Sequence, residues 1–382
     1  MRDSPPAALS GGILLAMHSL SQGGGDRNGV VLASGFARAG IPTRIVVMRD
    51  RGEAEAELRS LLHPDVSVVS GGPRMRLPLE SQLERLRGFR LLRREIDEFR
   101  PAVVLGVTDN MALITALARR GRRGGPLFAQ KLTNRIFRPT IGPVRRAYRH
   151  NLFKFILDRL DLVITLTEAE RRDAVSHYPA RERLFRTVPN PHVSEDMVQE
   201  RPPRASGPPR LLTAGRMVPQ KRFDVLLRAF AQLGHAGARL TILGDGPLRP
   251  ELKRLAESLG IGERLDMPGF DADIVPWIRR SDLVVLSSDY EGLPGVLIRA
   301  LACNVPVATT DSFLAARELL GGVGSCAVVP TGNPATLAHA IDRCLDAKTT
   351  EDLRGIVEPY RIDSAIDAHV QALAAAVEER AR

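Results

Sequence analysis

The sequence predicts an α/β protein made of two doubly wound domains with parallel sheets. Three observations carry this prediction. At 382 residues the chain is long enough for two domains of ordinary size. Short apolar runs rich in β-branched residues, the pattern of buried parallel strands, alternate with helix-patterned segments in both halves. A Pro-rich stretch, ERPPRASGPP at 200–209, separates the halves. The chain therefore divides into a first domain over 1–200, a linker over 201–209, a second domain over 210–360 and a final helical segment over 361–382.

The first half opens on an apolar strand at 13–17, a turn containing Gly23, Gly24 and Gly25, and a helix from about Asn28 that Gly40 ends. A second strand at 43–47 completes a βαβ unit. Glycines at the strand-to-helix turn let the backbone approach a ligand. The turn is not GxGxxG with a downstream acid, which argues against a dinucleotide. Strands follow at 66–69, 102–106, 127–130 and 162–166, and a long arginine-rich helix at 80–99. Asp109 is expected to cap the helix that begins near Met111. Thr167 caps another that carries Glu168 and Glu170 in its first turn. A basic helix is expected over 143–159, with Arg145, Arg146, Arg149, His150 and Lys154 around Phe153 and Leu157.

The second half begins with a strand at 211–214, then Gly215-Arg216 and Met217-Val218-Pro219-Gln220-Lys221-Arg222, then a helix from Phe223. Arg216 and Lys221 in a strand-to-helix loop suit a diphosphate: Arg forks two oxygens, and Lys supplies a point charge. Residues 240–243 form a strand ending in Gly244-Asp245-Gly246-Pro247, where Asp245 is a turn former. The most informative stretch is SDLVVLSSDYEGLPGVLIRALACNVPVATTD, residues 281–311. Here a strand at 283–286 meets a loop at 287–293, and Pro294 suits the first turn of an apolar helix. Asn304 stops that helix before another strand from Pro306. The amino end of such a helix attracts an anion, for instance a phosphate. Glu291 in the loop is either a capping acid or a ligand for a neutral polyhydroxyl group beside the phosphate.

EGLP followed by an apolar helix and P-V-A-T-T-D resembles the carboxyl-half signature of the GT4-type retaining glycosyltransferases of the GT-B fold, the glycosyl transferases group 1. G-R-x(3)-Q-K followed by an aromatic residue and Asp224 is similar to the donor pyrophosphate site of that family, and V-P-N-P at 188–191 to the end of its first domain. The resemblance covers nearly the whole chain and is strongest over 211–329. It implies two Rossmann-like domains facing across a cleft, with the last helix crossing back to the first. It implies a first domain that binds acceptor and a second that binds a UDP- or GDP-sugar. Arg216, Lys221 and Glu291 would act on the donor, with Gly24, Gly25, Gly292, Leu293, Pro294 and position 299 also at the donor site. It further implies a metal-free retaining transfer with no cofactor, to a glycan or lipid-linked acceptor, in bacterial polysaccharide or glycolipid synthesis.

One position departs from the family. A second Glu is expected eight residues after Glu291, to accept hydrogen bonds from ribose hydroxyls, and this chain has Arg299. Arginine has no acceptor. Ribose recognition then moves elsewhere, or the protein is a non-catalytic scaffold of the same shape. An epimerase of the same fold would need acid/base carboxylates that no motif supplies.

Composition sets the partners. The formal net charge is +10, with +12 in residues 1–204 and −2 in the remainder. The first half therefore points to an anionic partner, such as a membrane surface or a phospholipid-linked acceptor, or else presents a solvated arginine-rich surface. Four Tyr and one Trp leave little for base stacking, which argues against nucleic acid. Cys303, Cys326 and Cys344 lack metal-ligand or disulfide spacing and read as buried thiols of a cytoplasmic protein. No run approaches the roughly 20 apolar residues of a membrane span, and the first 20 residues do not form a secretory signal. A cytoplasmic place, at the inner face of the plasma membrane, is the expectation.

Overall fold

The computed structural model describes residues 5–20, 24–49, 58–71, 80–122, 124–137, 142–199, 207–347 and 351–382. The chain divides into two compact units. One is Met1–Pro191 with Ile362–Arg382, and the other is His192–Arg361. Most of the Pro-rich stretch, residues 200–206, lies outside the described residues, as does Gly23.

The first unit is a parallel sheet of seven strands in the order β3-β2-β1-β4-β5-β6-β7. In chain order it runs β1 (Ile13–Met17), α1 (Gly24–Arg38), β2 (Thr43–Val47), β3 (Val66–Ser70), α2 (Glu80–Phe99) and β4 (Val103–Gly106). It continues with α3 (Ala112–Ala118), β5 (Leu127–Lys131), α4 (Pro143–Leu157), β6 (Leu162–Thr165), α5 (Glu168–His177) and β7 (Phe185–Thr187). Alternate strand residues serve opposite faces. Ile13, Leu15 and Met17 pack with Val30, Leu32 and Phe36 of α1 and with Ile366, Val370 and Leu373 of the last helix, Ile362–Ala381. Leu14 and Ala16 pack on the other face with Leu92, Ile96, Ile156 and Leu157. Burial of both faces is why these strands read as unbroken apolar runs.

Helix α1 begins at Gly24, a turn earlier than Asn28. The first four N–H groups of a helix need no intrahelical partner, so glycines are tolerated there. Asp109 does not cap a helix. Its carboxylate accepts from Thr133 N at 2.9 Å, Thr133 Oγ1 at 3.0 Å and Asn134 Nδ2 at 3.0 Å, tying the end of β4 to the loop after β5. Thr167 caps α5 as expected, accepting from Glu170 N.

The second unit is a parallel sheet of six strands in the order β10-β9-β8-β11-β12-β13. It contains β8 (Arg210–Ala214), α6 (Phe223–Phe230), β9 (Arg239–Leu243), α7 (Arg249–Ser258), β10 (Leu265–Gly269) and α8 (Val275–Arg280). It ends with β11 (Leu283–Leu286), α9 (Gly295–Ala302), β12 (Val307–Thr310), α10 (Ala316–Leu320), β13 (Ala327–Val329) and α11 (Pro334–Asp346). Its core joins Leu211, Leu226, Phe230, Ile242, Val285 and Ile341. Asn304 ends α9 in the left-handed conformation, φ +56°, and Val305 N closes back on Ala300 O at 2.8 Å. The three cysteines are buried and none is in a disulfide.

Both sheets are doubly wound Rossmann-like sheets, the pair of domains that defines the GT-B fold. In each, the chain reverses its progress across the sheet once. The reversals lie between β1 and β4 and between β8 and β11. Ligands of such sheets bind outside the carboxyl ends of the strands at that reversal.

Candidate functional site

In the second unit the reversal brings together the loop after β8 and the loop after β11. These are the loops that carry Arg216 and Lys221, and Glu291. Lys221 Nζ lies 2.6 Å from Glu291 Oε1. Ser288 Oγ donates to the same oxygen at 2.6 Å. Glu291 is one-eighth exposed and Lys221 one-fifth, so the pair is partly shielded from water.

The two loops are zipped together along their backbones. Asp289 N donates to Gln220 O at 2.9 Å, Gln220 Nε2 to Tyr290 O at 2.7 Å, and Ser287 Oγ to Lys221 O at 2.9 Å. Arg222 adds a clamp. It sits in the left-handed region, φ +47°, and forks onto Asp224 at 3.0 and 3.1 Å while reaching Asp289 at 3.0 Å. The hydrogen bond to Asp224 leads the causes that raise its already high pKa. A non-glycine residue at positive φ is strained, and here it is held by three charge-assisted bonds.

Glycine makes room for this packing. A Cβ on Gly215 would lie 3.0 Å from Lys221 Cε, so the lysine curls back over the turn that follows β8. Beside it, a Cβ on Gly244 would stand 2.2 Å from Gly215 O. Asp245 is a turn residue: its carbonyl accepts from Met217 N and its carboxylate from Gly246 N.

Gly292, Leu293 and Pro294 are buried between the loop and α9. Pro294 is the residue before the helix and not part of its first turn. Its carbonyl accepts from Leu297 N at 3.1 Å, and its ψ of 112° is extended. Gly295 and Val296 open the helix, where the N–H groups have no intrahelical carbonyl to bond. Arg216 is exposed, and its guanidinium forms no ion pair among the described residues. Arg299 lies one helical turn beyond Gly295, partly buried, with Nε fully enclosed. Among the described residues no group of three or more His, Cys, Asp or Glu side chains could hold a metal ion.

Two residues of this site escaped sequence reading. Ser288 had a faint signal, since it lies in the same loop three residues before Glu291. His192 had none. It is 5% exposed, and its ring abuts Gly295 so closely that a Cβ there would meet Cε1 at 3.0 Å and Nδ1 at 3.1 Å.

In the first unit, Gly24 and Gly25 open α1 at the carboxyl end of β1. A Cβ on Gly25 would come within 3.3 Å of Thr108 at the end of β4, while Gly24 faces open space. Glu170 at this edge accepts from Leu166 N at 2.8 Å, and burial, with the charge of Asp109 adding, pushes it up to about 7. The described residues include no helix long and apolar enough to cross a membrane.

Comparison with known proteins agrees with the fold. Residues 208–347 match the family profile described as glycosyl transferases group 1, and residues 22–193 that described as glycosyltransferase family 4. Among curated relatives, an N-acetylgalactosaminyltransferase of Campylobacter jejuni is 27% identical over 191 residues, 48% of this chain and 51% of its own. Its name gives an N,N'-diacetylbacillosaminyl-diphospho-undecaprenol acceptor bearing N-acetylgalactosamine. The lipopolysaccharide core biosynthesis glycosyltransferase LpsE of Rhizobium meliloti is 31% identical over 172 residues, 44% of this chain and 50% of its own. The chain thus spans about half the length of these relatives. HepE of Anabaena, solved with UDP, superposes with a TM-score of 0.72 over 97% of this chain and 99% of its own, at 19% identity.

Proposed function

The chain belongs to the glycosyl transferases group 1, of the family 4 type, and from that premise we propose that it moves a sugar from a UDP- or GDP-sugar to a glycan or lipid-linked acceptor. The transfer retains anomeric configuration and serves bacterial polysaccharide or glycolipid synthesis. The observation that carries this reading is the Lys221–Glu291 pair, 2.6 Å apart, at the sheet reversal, with Glu291 in the loop that leads into α9.

The chemistry follows from the residue types. As the nucleoside diphosphate departs, negative charge builds on its oxygens. Lys221, Arg216 and the N–H groups that open α9 offset that charge and stand in for a metal. Glu291 accepts hydrogen bonds from hydroxyls of the sugar. Gly292, Leu293 and Pro294 shape the turn that places both. The hydroxyl that donates to Glu291, that of Ser288, is 1% exposed and so is no accessible nucleophile, which suits a front-face transfer in which the leaving phosphate takes the proton of the attacking hydroxyl. Gly24 and Gly25 open α1 at the carboxyl end of β1 in the first unit, and we place ligand contacts at that edge as well. The basic first unit meets an anionic membrane at the inner face of the cell.

Calorimetric titration with UDP, GDP and ADP tests this reading, using wild type, Lys221→Ala and Arg299→Glu. Wild type is expected to bind one nucleotide. Lys221→Ala should weaken it by about tenfold to a hundredfold, the scale of a lost charge-assisted bond. Failure of both wild type and Arg299→Glu to bind any of the three overturns the donor-site reading.

A further inference from the structure

Glu291 receives both of its side-chain hydrogen bonds on one oxygen. Lys221 Nζ and Ser288 Oγ each approach Oε1 at 2.6 Å, while Oε2 accepts none among the described residues. The hydroxyl of Ser288 is aimed by contacts that do not involve Glu291. Its own carbonyl accepts from Thr310 Oγ1 at 2.6 Å, at the last residue of β12. The preceding residue is held by the bond from Ser287 Oγ to Lys221 O. Ser288 is 1% exposed, so water is not an alternative partner for its hydroxyl, and a buried hydroxyl needs one.

We propose that Ser288 is a positioning residue for transfer, which holds the Glu291 carboxylate so that Oε2 faces the sugar hydroxyls of the donor. The inference rests on the donor-site reading above. Its physical content concerns competition for Lys221. An ammonium has three donors, and a diphosphate drawn to Lys221 competes with Glu291 for them. A carboxylate held by Lys221 alone would move as the lysine turns to phosphate. The Ser288 bond does not depend on Lys221, so the carboxylate keeps its orientation while the lysine changes partner. Ser288 therefore acts on recognition of the sugar, and Lys221 on recognition of the diphosphate.

This division is measurable as a ratio. The affinity of the free nucleoside diphosphate is compared with that of the matching nucleotide-sugar by calorimetry, with UDP and UDP-glucose, UDP and UDP-N-acetylglucosamine, and GDP and GDP-mannose. In Ser288→Ala the nucleotide should bind within about twofold of wild type. The nucleotide-sugar that wild type prefers should bind about tenfold more weakly, the scale of one hydrogen bond to a charged group. Ser288→Cys, close in shape and a weak donor, should show the same selective loss and serves if the alanine variant does not fold. In a Glu291→Ala background, Ser288→Ala should add nothing, because it acts through that carboxylate. Equal loss of nucleotide and nucleotide-sugar marks a purely structural role and overturns the proposal, as does no loss of either. Failure of wild type to bind any of the five ligands overturns the donor-site reading and this inference together.

Discussion

Lys131 Nζ lies 2.9 Å from His369 Nε2 and 2.6 Å from Asn190 Oδ1, with lysine and histidine both buried and neither partner an acid. The other ring nitrogen, Nδ1, is 2.7 Å from Ala365 O, so it carries the ring proton and Nε2 accepts from the lysine. Phe36 of α1 stands edge-on to the imidazole. Burial pushes Lys131 down to about 7, and burial with the lysine charge pushes His369 well below its usual range. The contact pins the last helix to the end of β5 through an amine that prefers to be neutral.

Stability should therefore depend on pH through Lys131. The folded chain releases this proton near pH 7, and the unfolded chain near 10.5. Between those values the unfolded chain binds more protons, so stability rises with pH by up to about 1.4 kcal/mol per unit. Above pH 9 the buried Cys344 thiol, pushed up to about 12, works the other way, which leaves pH 7–9 as the window. Urea denaturation at pH 7, 8 and 9 should show Lys131→Met losing this slope. The same slope in wild type and variant would show that the lysine is charged in the fold.

Glu170 gives the opposite sign. Its folded pKa of about 7 lies above the ordinary 4.5. The folded chain thus holds a proton that the unfolded chain has lost between pH 4.5 and 7, and stability falls as pH rises through that range. Glu170→Gln keeps an acceptor for Leu166 N and carries no charge. It should match wild type near pH 4.5 and exceed it progressively towards pH 7, by up to about 1.4 kcal/mol per unit. Denaturation at pH 5, 6 and 7 checks this, and a constant offset between the two proteins would refute it.

These groups show what a sequence can reveal. Strands such as Ile13–Met17 and Leu283–Leu286 were legible because burial on both faces leaves an apolar run. The loop chemistry of Lys221 and Glu291 was legible because each sits in its own local motif, although only the fold brings residues 70 apart to 2.6 Å. Lys131, Asn190 and His369 span 238 residues and share no local pattern. Asp109 was misread because an acid before a helix looks like a cap, whereas here the loop after β5 offers it three donors. His192 touches α9 through a ring whose direction no neighbouring residue announces.

That ring against Gly295 predicts a coupling. Alanine at a helix start is worth up to about 1 kcal/mol over glycine. At Gly295 its Cβ would press on His192 at 3.0 Å, closer than ordinary contact. Gly295→Ala should therefore stabilise a His192→Ala protein and fail to stabilise the wild type. Melting of the four proteins of this cycle should give a coupling of about 0.5–3 kcal/mol. Additive effects would show that the ring moves aside freely.

The last prediction concerns α4, where the amphipathic pattern was imperfect. The helix is buried only in its second half, at Phe153, Ile156 and Leu157. Residues 143–148 are exposed all round, with Val144 82% and Tyr148 70% exposed and four residues apart, beside Arg145 and Arg146. Farther along, Arg149 is tied to Ile136 O, which fixes the base of the helix on the unit, while Arg146 stays exposed with its guanidinium 5.5 Å from the centre of the Phe137 ring. A projecting turn with two apolar side chains among cations is suited to the headgroup layer of an anionic bilayer. Vesicles containing phosphatidylglycerol should sediment the protein, and vesicles of phosphatidylcholine alone should not. Each arginine near such a surface contributes about 1 kcal/mol, so Arg145→Glu with Arg146→Glu should weaken binding by at least about tenfold. Val144→Asp with Tyr148→Asp should do so with a smaller dependence on salt, because it removes apolar burial along with adding charge. Equal binding to both vesicle types, or no change in either double variant, would place any membrane contact elsewhere on the basic half.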